Sequence, residues 1–157
     1  MRFLIFMLAT VVSVNFSILW AQEYVPVDQF DPNRDAAQDI QNALTFAKAQ
    51  NKTVLMEVGG EWCSWCKRLN KFMEDQKAIK EYLQANYVLV RVNYSKENEN
   101  KEVLSQFPKI KGYPHFFILS AGGQLLHSQD TGELEEGKGY SEEKIMNFLR
   151  KWAPVKD

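Results

Sequence analysis

The chain has 157 residues, 45% of them apolar, which is room for one domain with a proper core. Its 19 basic and 20 acidic side chains leave a net charge of −1, with no basic stripe to serve as an electrostatic footprint for nucleic acid and no glycine-rich loop to cradle phosphate. Two cysteines are too few for a disulfide scaffold.

Met1-Arg2 opens an apolar run from Phe3 to Trp20, broken only by Thr10, Ser13, Asn15 and Ser17. This reads as a secretory signal peptide over residues 1–21, cleaved after the small residue Ala21, ahead of a folded domain over 22–157. The alternative is an uncleaved signal anchor, since a run of about 18 residues is on the border of what spans a bilayer. No cysteine follows the run, so no lipoprotein anchor is indicated. Either way the domain is expected in the periplasm or secreted, where a dithiol meets an oxidising environment.

Pro26 and Pro32 predict an irregular entry from Tyr24 to Asn33. The spacing of Ala36, Ile40, Ala43, Leu44 and Ala47 then predicts a helix over 35–50. Thr53 to Val58 is a nearly continuous apolar run, the pattern of a central strand. A helix is expected over Lys67–Met73 and another over Lys77–Ala85, followed by a valine-rich strand, Tyr87–Tyr94. The alternating charges of Lys96–Glu102 read as a solvated loop and helix start, with Val103, Leu104 and Phe107 as the buried face and Pro108 as the stop. Two strands, Phe116–Leu119 and Gln124–Ser128, flank the turn Ala121-Gly122-Gly123. Thr131–Gly139 reads as an acidic loop, and Ser141 caps a last helix that runs to Trp152. Strands and helices in this order predict an α/β fold, a mixed central sheet with helices on both faces.

The two cysteines stand three apart in Trp62-Cys63-Ser64-Trp65-Cys66-Lys67. Cys63 falls at the junction of strand and helix, where free backbone N–H groups and the positive end of the helix dipole favour a thiolate; Cys66 lies one turn deeper. This suits an attacking and a resolving thiol. A structural disulfide is one alternative. A metal site is another, because Cys63, Cys66, His115 and His127 make a set of four, but zinc sites pair Cys-x-x-Cys with a second closely spaced pair, and these histidines fall on successive strands. No metal is therefore expected. Lys67 stands where a c-type haem motif needs histidine.

The order of elements, with Cys-x-x-Cys after the first long strand, resembles the thioredoxin superfamily over roughly Ala36 to Trp152. The likeness also rests on Gly112-Tyr113-Pro114 ahead of a strand, which resembles the family's cis-proline loop, and on Glu57, six residues before Cys63, where thioredoxins carry a buried acid. Arg91 falls where many carry a lysine near that acid. Gly59-Gly60-Glu61-Trp62-Cys63-x-Trp65-Cys66-Lys67 is most similar to the secreted and periplasmic thioredoxin-like branch. Ser64-Trp65 replaces Gly-Pro and Glu replaces Asp, so redox potential and proton-transfer geometry do not carry over.

The resemblance implies a thiol–disulfide oxidoreductase acting on protein disulfides, with Cys63 as nucleophile, Cys66 as resolving thiol and Glu57 as proton shuttle. It makes the Tyr113-Pro114 bond cis and has Tyr113 and Pro114 offer backbone to a substrate strand. Trp62 and Trp65 are expected to help bind substrate, Trp65 as an exposed aromatic between the cysteines. Taken alone, Glu57 fits a solvent-facing strand edge equally well, Pro114 a trans proline that starts a strand, and the tryptophans the core. No organic cofactor is needed. A membrane or soluble redox partner would reset the dithiol, a monomer is expected, and the direction of exchange is read as reducing or isomerising. The competing reading is a non-catalytic thioredoxin-fold binding module with a structural disulfide.

Overall fold

The computed structural model describes residues 24–155; the signal segment read from residues 1–21 lies outside them. Tyr24 to Arg34 runs irregularly, as its prolines require, and touches the sheet where Val27 bridges Val90. Helix α1, Ala36–Gln50, starts where the Asp35 side chain accepts the Gln38 N–H and stops at Asn51 in the left-handed region, φ +50°. Its alanines Ala36, Ala43 and Ala47 are buried, while Ile40 and Leu44 are half-buried against the same core.

Strand β1, Thr53–Gly59, is buried along its whole length because it has neighbours on both sides. It runs parallel to β2, Tyr87–Asn93, and antiparallel to β3, His115–Leu119, which pairs in turn with β4, Leu125–Asp130. The order β2-β1-β3-β4 makes the expected mixed sheet. Alternation along β1 sends Val54, Met56 and Val58 toward α1. Leu55 faces the other layer, built by α2, Ser64–Asp75, α3, Lys77–Asn86, and α5, Glu142–Trp152. Leu69, Ile79, Ile145 and Leu149 meet Phe116 and Ile118 there.

Several boundaries differ from the sequence reading. Helix α2 begins at Ser64 rather than Lys67, because Cys63 itself occupies the cap position. Helix α4 is only Lys101–Leu104 and ends before Pro108, its last turn tightening into bonds from Gln106 N to Val103 O and Phe107 N to Leu104 O. Val103, Leu104 and Phe107 are consequently half-buried rather than buried. The hairpin turn uses Gly123 at φ +84°, and β4 extends two residues past Ser128.

The stretch Thr131–Gly139 is not simply a loop. It forms a 3-10 turn, Thr131–Leu134, and half of a two-stranded ribbon, β5, Glu135–Glu136, and β6, Gly139–Tyr140. Gly137 at φ +59° makes the turn, and buried Tyr140 anchors the ribbon beneath α2. Two-residue strands carry too little alternation to be seen in sequence. Ser141 stands at the cap of α5 but makes no side-chain capping bond. Among the described residues, no helix is long and apolar enough to cross a membrane.

Candidate functional site

The sheet delivers the cysteines to one place. After β1 the chain turns, with Cys63 N–H bonded to Gly60 O, and enters α2 with Cys63 as its cap. A disulfide joins Cys63 to Cys66, and the Cys66 N–H points at the Cys63 sulfur, 3.1 Å away. That N–H and the helix terminus would stabilise negative charge on Cys63 once the bond is reduced. Cys63 is 4% exposed and Cys66 0%, so Cys66 is the deeper of the two and Cys63 itself shows only a sliver to solvent. The cover comes from Phe30, clustered with the two cysteines, and from Trp65 and Tyr113 packed against that cluster.

Gly59 and Gly60 earn their places by close approach. A Cβ on Gly59 would come within 2.6 Å of Cys66 Sγ and 2.9 Å of Phe30 Cζ. One on Gly60 would meet Trp62 Nε1 at 2.4 Å and Tyr94 O at 2.9 Å. Without these glycines neither sulfur nor indole would reach its seat.

Glu57 lies two residues before Gly59 on β1, so its side chain shares the face on which Cys66 sits. It is fully buried, not on an exposed edge. Arg91, its register partner on β2, donates Nε–H to Glu57 Oε2 at 2.9 Å, while Oε1 has no hydrogen-bond partner among the described residues. Burial pushes the Glu57 carboxyl up to about 7 even though Arg91 pulls it down.

Across the site, Tyr113 and Pro114 join in a cis bond, and Thr131 Oγ1 donates to Pro114 O at 2.5 Å, pinning the loop to the 3-10 turn. Tyr113 stacks on Tyr94 at 4.8 Å and meets the Trp62 ring edge-on at 5.7 Å. Trp62 Nε1–H donates to Tyr94 O, yet the residue stays 57% exposed. The result is an aromatic wall beside Cys63. Tyr94 was not singled out by the sequence reading, and its only signal there was an aromatic closing the valine strand.

Trp65 departs from expectation. Instead of standing exposed it is half-buried, edge-on to Tyr140 at 5.6 Å and covered by the Arg68 guanidinium at 4.5 Å, because the ribbon rises to meet it. Lys67 and Arg68 are exposed, but Lys67 lies 3.4 Å from Glu61 and Arg68 also bonds Lys138 O. His115 is buried on β3 with Nε2 2.8 Å from Ser128 Oγ, and burial lowers its pKa, leaving it neutral near pH 7. Among the described residues no three metal-ligating side chains come together; His115 pairs with Ser128, and His127 stacks on Trp152 at 4.5 Å.

Comparison with known proteins agrees with this geometry. A sequence model of the family described as thioredoxin-like matches residues 35–121. The thiol:disulfide interchange protein DsbD of Pseudomonas fluorescens is 28% identical over 121 residues, covering 76% of this chain and 19% of its own length. The disulfide bond reductase DsbH of Chlamydia pneumoniae is 25% identical over 93 residues, 54% of this chain and 55% of that protein. The chain thus spans about a fifth of the DsbD proteins it matches. Among solved structures, the disulphide isomerase from Xylella fastidiosa Temecula1 superposes with a TM-score of 0.68 at 22% identity, over 78% of this chain and 94% of that one. The oxidised C-terminal domain of Neisseria meningitidis DsbD gives 0.59 at 16% identity, over 79% and 98%.

Proposed function

The chain belongs to the thioredoxin-like family, and from that premise we propose that it is a thiol–disulfide oxidoreductase that works on protein disulfides outside the cytoplasm. The observation that carries this reading is the Cys63–Cys66 disulfide at the N-terminus of α2, with Cys66 N–H directed at Cys63 Sγ and Glu57 on the same face.

In the reducing direction, Cys63 thiolate attacks one sulfur of a substrate disulfide and expels the other as a thiolate, giving a mixed disulfide. Glu57 carboxylate takes the Cys66 proton. Cys66 sulfur then attacks Cys63 Sγ and releases the second substrate sulfur, so the substrate gains two electrons and the Cys63–Cys66 disulfide re-forms. A dithiol partner, membrane-bound or soluble, returns the pair to its reduced state. Trp62, Tyr113 and the backbone beside Pro114 receive the substrate strand, with Trp65 contributing the part of its ring left uncovered. The apolar run before Ala21 supports delivery across a membrane as a cleaved signal, with residues 22–157 as the working domain.

Reduction of insulin by dithiothreitol tests the reading. The protein should accelerate precipitation of the insulin chains, and Cys63→Ser should abolish the acceleration. Equal rates would favour a binding module with a structural disulfide.

A further inference from the structure

The residue that seals the dithiol from behind comes from outside the matched family region. Phe30 stands alone as an apolar residue between Gln29 and Asp31, in a segment that forms neither helix nor long strand. It is nevertheless 4% exposed and belongs to one packed cluster with Cys63 and Cys66. The Phe30 Cζ and the Cys66 Sγ converge over Gly59, within 2.9 and 2.6 Å of where a Cβ would stand.

The segment is fastened on both sides of that ring. Upstream, Arg91 N–H donates to Val27 O at 3.1 Å, and the Arg91 guanidinium reaches Asp28 O through Nη1. Downstream, Asn98 Nδ2 donates to Pro32 O at 2.9 Å, and Arg34 forks onto buried Asp39 at 2.5 and 2.7 Å. Arg91 is also the arginine that holds Glu57. One guanidinium therefore ties the segment to the acid on the dithiol face.

We propose that Val27–Arg34 is a strap over the dithiol and that Phe30 is a positioning residue which keeps water from the Cys66 sulfur, making the two thiols unequal and disfavouring the reduced pair as thiolate. An apolar ring against a sulfur withholds the solvation that a thiolate needs. Pinned at four points, the strap holds the ring in place rather than leaving it to drift with an entry loop.

The inference rests on the proposed exchange chemistry, but its test needs no protein substrate. Reduced wild type, Phe30→Ala and Phe30→Leu are alkylated with iodoacetamide and each cysteine is followed by mass spectrometry. Separately, each protein is equilibrated with glutathione, where one protein disulfide and two glutathione thiols exchange with one protein dithiol and one glutathione disulfide. In folded Phe30→Ala, Cys66 labelling should rise several-fold while Cys63 changes little, and the equilibrium should move toward the dithiol. Phe30→Leu, which keeps apolar bulk, should restore most of the wild-type asymmetry. If Phe30→Ala does not fold, Phe30→Leu alone should still show a smaller rise at Cys66. Unchanged Cys66 labelling, or an equal rise at both thiols, overturns the strap. A protein inert toward insulin that still shows the Cys66 effect would sink the oxidoreductase reading and leave this one standing.

Discussion

Arg91 Nε lies 2.9 Å from Glu57 Oε2, across neighbouring parallel strands, and the ion pair is sealed on the acid side: Glu57 is fully buried while the Arg91 side chain keeps 12% of its surface. The pair leaves the carboxyl at about 7 because burial outweighs the arginine. Near neutral pH Glu57 is thus divided between an ionised form, able to accept a proton, and a protonated one.

That division predicts a pH profile. Decay of a mixed disulfide on Cys63 should speed up as pH rises through about 7, where Glu57 ionises. Glu57→Gln should remove this step and leave only the rise due to ionisation of the thiol itself. Quenched-flow measurement from pH 5.5 to 9 checks it, and an unchanged profile in the variant counts against the shuttle.

The same shift has a sign for stability. The unfolded chain releases this proton near the ordinary value of 4.5, the folded chain only near 7, so between them the folded state binds more protons. Stability from this group falls as pH rises through that window. Thermal melting of Glu57→Gln should fall less between pH 5 and 7.5 than that of wild type.

The proposed division of labour between the thiols gives a trapping experiment. Cys66→Ser should accumulate mixed disulfides on Cys63, since the attacking sulfur remains and the resolving one is gone. Cys63→Ser should trap none. Non-reducing gels of cells carrying each variant separate the outcomes, and equal trapping by both would refute the division of labour.

Fold and dithiol were legible in the sequence because they rest on local signals. The nearly continuous apolar run Thr53–Val58 and a Cys-x-x-Cys at a helix start both announce themselves within a short window. Glu57 was visible only through resemblance, since a single acid in a strand does not reveal which way the sheet turns it. Phe30, Tyr94 and Tyr140 were missed for a different reason: each matters through a contact distant in sequence, Phe30 with Cys66, Tyr94 with Tyr113, Tyr140 with Trp65. The exposure expected of Trp65 failed on the same ground, because the ribbon that covers it is too short to read.

Gly59 offers a stability test of the packing. Gly59→Ala would drive a methyl group to 2.6 Å from Cys66 Sγ and 2.9 Å from the Phe30 ring, and neither is a free chain end. Overpacking of this kind costs roughly 1–3 kcal/mol. Urea unfolding of the oxidised protein should show a loss of that size, and a neutral effect would mean that the strap yields easily.

Trp62 tests the aromatic wall. It is 57% exposed but held in place by its bond to Tyr94 O and the edge of Tyr113, an ordered apolar surface beside the nucleophile. Trp62→Ala should raise KM for a protein disulfide while sparing the reaction with a small linear disulfide such as oxidised glutathione. A loss of about 1–2 kcal/mol, roughly 5- to 30-fold in KM, is the expected scale for a binding aromatic. Equal losses with both substrates would place Trp62 in the scaffold rather than in recognition.

What surrounds Cys63 predicts a direction of exchange. A strong disulfide oxidant has a reduced form that is heavily stabilised, which raises its potential to roughly −120 mV. Here the cations that could do the same are otherwise engaged: Lys67 faces Glu61, Arg68 lies over Trp65 and bonds Lys138 O, and burial keeps His115 neutral. What remains for the Cys63 sulfur is one N–H from Cys66 and the helix terminus, set in an apolar surround of Phe30, Trp65 and Tyr113. Such a site stabilises a thiolate only moderately, so the Cys63–Cys66 potential should fall nearer the roughly −270 mV of thioredoxin than the oxidant's value. Titration against glutathione at pH 7 measures it, and a potential close to −120 mV, on the order quoted for strong oxidants, would reverse the assignment to a reductant or isomerase.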